Sequence, residues 1–233
     1  MLFEVRKIMR TKLRMNLTVA LAALGMGAAC LYAQAPKLVP APIELPKPGM
    51  EGTPPNFNIP NLEKPSYKPR PPFLVPEGVT NVAKGKTVTS SEKDPLVGDL
   101  TMITDGDTEQ VEGNDVELGP GVQWVAIDLG APQEIYGILV WHYFQPRVYY
   151  SVVVQTADDA AFTQGLQTWF NNDINNKAKQ GAGKNLNYIE SYEGRLVDAK
   201  GVKARYVRLF SDGNNANNLN QYVEVEVFGK PAK

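Results

Sequence analysis

Between two apolar runs lie six residues, His142-Tyr143-Phe144-Gln145-Pro146-Arg147, that bring together an imidazole, two aromatic rings, an amide and a guanidinium. Such a set can grip a ligand. A sugar site needs an aromatic face over apolar C–H groups and a few fixed donors and acceptors for the hydroxyls. Tyr143 or Phe144 would stack, and His142, Gln145 and Arg147 would hydrogen-bond. The plainer alternative makes Trp141, Tyr143 and Phe144 packing residues and Arg147 a surface charge. A second set is Asp105, Asp107 and Thr108 from a tight turn, with Glu224 from the last apolar run. These are hard oxygen ligands of the kind calcium takes. Alternatively, Asp105-Gly106-Asp107 is only a turn whose side chains bond their own backbone.

Other chemistry is excluded early. His142 is the single histidine and Cys30 the single cysteine. That removes a multi-histidine zinc centre, and a Ser-His-Asp triad would have to run through His142. Asp158-Asp159 and Asp105/Asp107 are carboxylate pairs, but neighbours in sequence do not set the separation across a cleft that a glycosidase needs. Gly181-Ala182-Gly183-Lys184 lacks the spacing and the βαβ setting of a phosphate loop. The formal net charge of −1 gives no basic field for nucleic acid.

The elements that must position these residues read as strands. In Trp124–Leu129, Val125, Ile127 and Leu129 share one face, the period of two of a half-buried strand. Gly130-Ala131-Pro132-Gln133 should break it. Glu134 to His142 is nearly continuous in apolar residues, as in a strand buried on both faces. Val148 to Gln155 reads as a third strand. Earlier, Asn81–Ser90 and Met102–Thr104 read as strands, and Glu109 to Gly121 as loop. Later, Asp158–Phe162 reads as one helical turn, Asn187–Glu193 as a strand, and Val202–Phe210 as an alternating one. In Tyr222–Phe228, Val223, Val225 and Val227 should face the core and Glu224 and Glu226 face away. The fold class is all-β, an antiparallel sandwich or jelly roll of about eight strands.

Ahead of it stand two other segments. Residues 1–33 carry the basic residues Arg6, Lys7, Arg10, Lys12 and Arg14, then an apolar run too short to span a membrane comfortably. This is the layout of an export signal. Either Ala33 ends it, or Cys30 is lipidated, as in the bacterial lipoprotein signals that this segment resembles. Residues 34–77 form a linker. Its stretch from 36 to 76 holds 13 of the 18 prolines, and so cannot bury enough apolar surface to offset its ordering entropy. Extended and disordered at ~3.1 Å per residue, it would hold a domain roughly 100 Å from its anchor.

The domain, residues 78–230, resembles the discoidin (coagulation factor five/eight type C) family. Asn81-Val82-Ala83-Lys84-Gly85-Lys86, Thr104-Asp105-Gly106-Asp107, Trp124–Gly130, Ala204–Leu209 and Glu224–Gly229 follow in that family's order. The resemblance implies a galactose-binding-like sandwich that binds carbohydrates, lipid head groups or proteins. It implies a structural calcium at the Asp105 turn and Glu224. It also implies a sugar site of a histidine, an arginine, an aromatic and an asparagine, the last drawn from Asn214, Asn215, Asn217 and Asn218. The functional expectation is a non-catalytic, carbohydrate-binding module, exported and tethered to the envelope. The alternative is adhesion to, or assembly with, envelope proteins through the same loops. Any membrane contact is expected only through a lipid on Cys30.

Overall fold

The structure, a computed structural model, describes residues 36–48, 57–66, 68–143 and 146–233. The export-signal and lipidation expectations fall on residues outside this set, and so do Phe144 and Gln145. Ten strands are described: β1 (Leu38–Pro40), β2 (Leu74–Pro76), β3 (Thr80–Asn81), β4 (Thr87–Ser90), β5 (Val116–Leu118), β6 (Gln123–His142), β7 (Val153–Ala157), β8 (Gln167–Asn171), β9 (Arg195–Ser211) and β10 (Asn220–Pro231). One 3-10 helix, Leu100–Thr104, lies between β4 and β5.

Two long strands organise the sandwich. β6 and β9 pair antiparallel along most of their length, with register shifts between Asp128 and Gln133 and between Ile135 and Gly137. At these shifts the strands bend, which is how one strand can serve two sheets. Gly130, at φ 85, supplies a backbone angle that a side chain would oppose. The first half of β6 therefore lies between β4 and the end of β9, with β7 and β8 beyond. The second half lies between β10 and the start of β9. β3 and β5 also pair with β10. This is the antiparallel sandwich that the alternation and the discoidin resemblance imply. The Gly130 turn bends the strand instead of ending it.

The main core is the product of period-two patterning. Val125, Ile127 and Leu129 from the first half of β6 pack with Ile138 and Val140 from the second. Val207 and Leu209, Val197 and Ala199, and Val225 and Val227 close it. Each fully buried Val, Leu or Ile contributes about 1.5–3 kcal/mol relative to exposure. The register is thereby fixed, since a one-residue slip would turn every one of these outward.

The opposite face of β6 explains why its second half is apolar throughout. Leu139 and Trp141 point away from the main core and form a second cluster with Val223 and Phe228. That cluster is covered by the proline-rich segment: Val75, Ala41, Ile43 and Phe73 pack on it. β1 and β2 pair with each other, and Ala41 N–H donates to the Phe73 carbonyl at 2.7 Å. Further along, Glu63 pairs with Arg195 at 2.9 Å, and Arg70 donates to the carbonyls of Glu193 and Gly194. The described part of the expected disordered linker is thus extended but strapped to the sandwich. Prolines deny it inner strand positions, yet the apolar residues between them have a face to cover.

Local departures have local causes. Met102–Thr104 is helical because Asp99 caps the turn, its Oδ1 accepting from Thr101 N–H at 2.9 Å. Val148 to Val152 does not join the ladder. Asn215 and Asn172 side chains take the N–H groups of Val148 and Val152 instead, at 2.7 and 2.6 Å. Asn187–Glu193 makes only an isolated bridge with Leu62. Asp158–Phe162 is a turn, with Asp159 Oδ1 accepting from the N–H groups of Thr163 and Gln164 at 2.8 Å each. Asp159 Oδ2 accepts from the Thr163 hydroxyl at 2.8 Å, so both of its oxygens are committed to this turn.

Candidate functional site

β6 ends at His142 and delivers the chain to one end of the sandwich, where β5, the start of β10 and the 212–219 loop also meet. His142 itself is fully buried. Its ring stacks on Tyr149 with centroids 4.4 Å apart and tilts against Tyr222 at 4.9 Å. Its Nδ1 lies 2.7 Å from Glu190 Oε1, and Glu190 is buried as well. The expectation of His142 as a loop-tip ligand residue is corrected here. The residue closes β6 inside the core, where two aromatic rings and a carboxylate enclose it.

Arg147 and Tyr143 do come together. The Arg147 guanidinium lies over the Tyr143 ring, 5.2 Å from its centroid, and both residues are half-buried. Arg147 also donates to Gln221 Oε1, which accepts from Tyr149 Oη–H at 3.1 Å. Gln221 Nε2 in turn donates to Glu117 Oε2 at 2.7 Å. Register explains the last contact, since Gln221 and Glu117 are direct partners across β10 and β5. Beside this chain of contacts sits Asp115, only 6% exposed. Burial first, and then the Glu117 charge, push its carboxyl up to about 6, while Arg147 pulls it down.

The asparagines divide. Asn214 is spent within its own loop: its Nδ2 donates to Asn217 Oδ1 and to the Leu219 carbonyl, and its Oδ1 accepts from the N–H groups of Ala216 and Asn217. Asn217 is half-buried, and its Nδ2 donates to no described residue. Tyr149 and Asn214 form an isolated bridge, which sets this loop against the Arg147 segment. Glu117, Gln221 and Asp115 were not legible as site residues. Glu117 lies in a polar stretch read as loop, although Val116-Glu117-Leu118 carries the brief alternation that marks β5.

At the cation set, Asp105 Oδ1 accepts from Asp107 N–H at 2.7 Å, and Asp107 Oδ1 from Glu109 N–H at 2.9 Å. The turn reading of these aspartates therefore holds for one oxygen of each. Glu224 reaches the same turn, its Oε2 accepting from Gly106 N–H at 3.2 Å. Glu224 is fully buried and its Oε1 has no partner among the described residues. Burial, more than its acidic neighbours Glu226 and Asp105, pushes this carboxyl up to about 9. Glu224 and Glu226 alternate with the core valines as expected, but neither reaches solvent freely.

No family model matches the chain, and none of the curated proteins does. Solved structures with a similar fold exist. A family 89 glycoside hydrolase from Clostridium perfringens aligns at a TM-score of 0.48 and 18% identity, over 65% of this chain and 15% of that one. A chitosan-binding module of a Paenibacillus sp. IK-5 chitosanase/glucanase aligns at 0.42 and 19%, over 64% and 98%. A Streptococcus pneumoniae fucose-binding module aligns at 0.46 and 18%, over 64% and 96%. This chain thus corresponds to only 15% of the hydrolase's length. All three TM-scores fall below 0.5.

Proposed function

We propose that this chain is a non-catalytic carbohydrate-binding module, exported and tethered to the cell envelope, that takes its ligand at the Tyr143–Arg147 end of the sandwich. The observation that carries the reading is the Arg147 guanidinium, laid over the Tyr143 ring and held by Gln221. An aromatic ring beside a fixed charged donor, with Glu117 as a nearby acceptor, offers both halves of sugar recognition. Asn217 Nδ2 is a further donor on the adjoining loop. Export rests on the basic and apolar layout of residues 1–33, and a lipid on Cys30 would supply the tether.

A structural cation belongs to the same proposal. Glu224 is a buried carboxylate with one oxygen unpartnered, directly against the Asp105 turn. An ionised carboxylate in that position needs a positive partner. Among the described residues no three acidic or histidine side chains converge. Calcium would therefore be held first by Glu224 and main-chain carbonyls of the turn, with Asp105, Asp107 and Thr108 drawn in on binding. Its role there is to stiffen the turn.

The test is a screen of the purified chain against glycans and polysaccharides, repeated with Arg147→Ala and Tyr143→Ala. We expect at least one glycan to bind, and its affinity to fall about tenfold in each variant, the scale of one lost charge-assisted hydrogen bond or stacked ring. Glycan binding that both variants retain in full would overturn the site. Exposed Leu96, Val97 and Val111 favour the second reading, a protein partner at the loops around β5. Capture of an envelope protein by the parent chain, lost in Leu96→Asp and unaffected by free sugars, would support it.

A further inference from the structure

The acidic side of the proposed sugar site narrows its ligand class. Residues 109–118 carry four carboxylates, Glu109, Glu112, Asp115 and Glu117, and no lysine or arginine. The Arg147 charge acts on Asp115, and the contacts of Arg147 go to the neutral Gln221 and the Tyr143 ring. Glu117 has a partner, Gln221 Nε2, at 2.7 Å. Asp115 has none: 94% of the residue is withdrawn from solvent, yet its carboxylate accepts no hydrogen bond from any described residue.

A carboxylate with no donor among the described residues is open to one from a ligand. A sugar hydroxyl gives one donor and no charge. An ammonium gives three donors and the compensating charge. Anionic sugars would meet the acidic stretch and be repelled.

We propose that Asp115 and Glu117 select glycans bearing a free amino group, that is, de-N-acetylated hexosamine units, with Asp115 accepting from the ammonium. This rests on the carbohydrate reading of the Tyr143–Arg147 end and deepens it. Arg147 and Tyr143 hold the ring, and Asp115 reads the substituent.

The experiment compares three probes on the full chain by calorimetry: β-1,4-linked glucosamine oligomers, the fully N-acetylated oligomers of the same length, and oligogalacturonate. The variants are Asp115→Asn and Glu117→Gln, each first shown to melt cooperatively. The expected result is binding of the amino oligomer roughly 10-fold or more tighter than the acetylated one, the scale of a hydrogen bond to a charged group. Oligogalacturonate should be weakest, and added salt should narrow the difference. Asp115→Asn should bring the amino and acetylated oligomers to similar affinity, and Glu117→Gln should reduce the preference in part. Equal binding of amino and acetylated oligomers by the parent chain, lost in Arg147→Ala, would overturn this inference and leave the carbohydrate site standing. Absence of binding to all three probes and to the wider glycan panel would overturn both.

Discussion

His142 Nδ1 and Glu190 Oε1 lie 2.7 Å apart with neither side chain reaching solvent. The pair ties the end of β6 to the segment before β9, beneath the loops proposed to bind ligand. Both side chains are sealed from solvent, and His142 Nε2 and Glu190 Oε2 have no further partner among the described residues, so the pair's effects should be structural.

Removing the imidazole leaves Glu190 as a buried carboxylate without its partner. We expect His142→Ala to lose about 3 kcal/mol or more of stability, read by chemical denaturation. The folded fraction should bind glycan with affinity close to the parent's. A fully stable variant that no longer binds would show instead that the ring touches ligand.

Calcium should raise the melting temperature of the parent chain, since a ligand of the native state alone stabilises it by mass action. Glu224→Gln should abolish that response. It should also leave the calcium-free protein about as stable as the parent at neutral pH, because burial already keeps the parent's carboxyl protonated and the amide replaces one neutral group with another. An unchanged calcium response in the variant would remove Glu224 from the site.

Asp115 gives a pH signature with a defined sign. Its folded pKa, about 6, stands above the usual 3.8. The folded state therefore holds the proton more tightly. The associated stability is fully present below about pH 4 and is lost as pH rises through about 6. Asp115→Asn should match the parent near pH 4 and exceed it at pH 8 by an amount on the order of 1 kcal/mol. Parallel stability curves across this window would contradict it.

The strap makes a prediction about where the domain begins. A chain starting at residue 78 lacks Phe73 and Val75 and uncovers Leu139, Trp141, Val223 and Phe228. Relative to a chain starting at residue 36, it should lose roughly 3 kcal/mol and gain a tendency to aggregate. Equal melting temperatures for the two would show that the covering is incidental.

The sandwich was legible because its signal is local and repeated. Val125, Ile127 and Leu129, or Val225 and Val227, announce a buried face without reference to any other part of the chain. The near-continuous run from Glu134 to His142 even announced that both faces are covered. What covers the second face was not legible, since Val75 and Phe73 sit among prolines and carry no period of their own. The site was legible only in part. Arg147 and Tyr143 stood out by type, but His142 could not be told from a surface histidine, because Tyr149, Tyr222 and Glu190 enclose it from distant positions. Gln221 and Glu117 meet only through the β5–β10 register, which no short stretch of sequence encodes.

The strap also has a mechanical meaning. Were the chain held at its N-terminal side, tension entering through Lys37 would fall first on β1, whose partner among the described strands is β2. The Glu63–Arg195 and Arg70–Gly194 contacts come into line after it. Each could let go while the β6–β9 ladder stays whole, so such a pull would lengthen the segment before residue 78 and spare the loops proposed to bind ligand. The proline-rich stretch would then work as a shock absorber, its described parts laid against the domain at rest and drawn out under load.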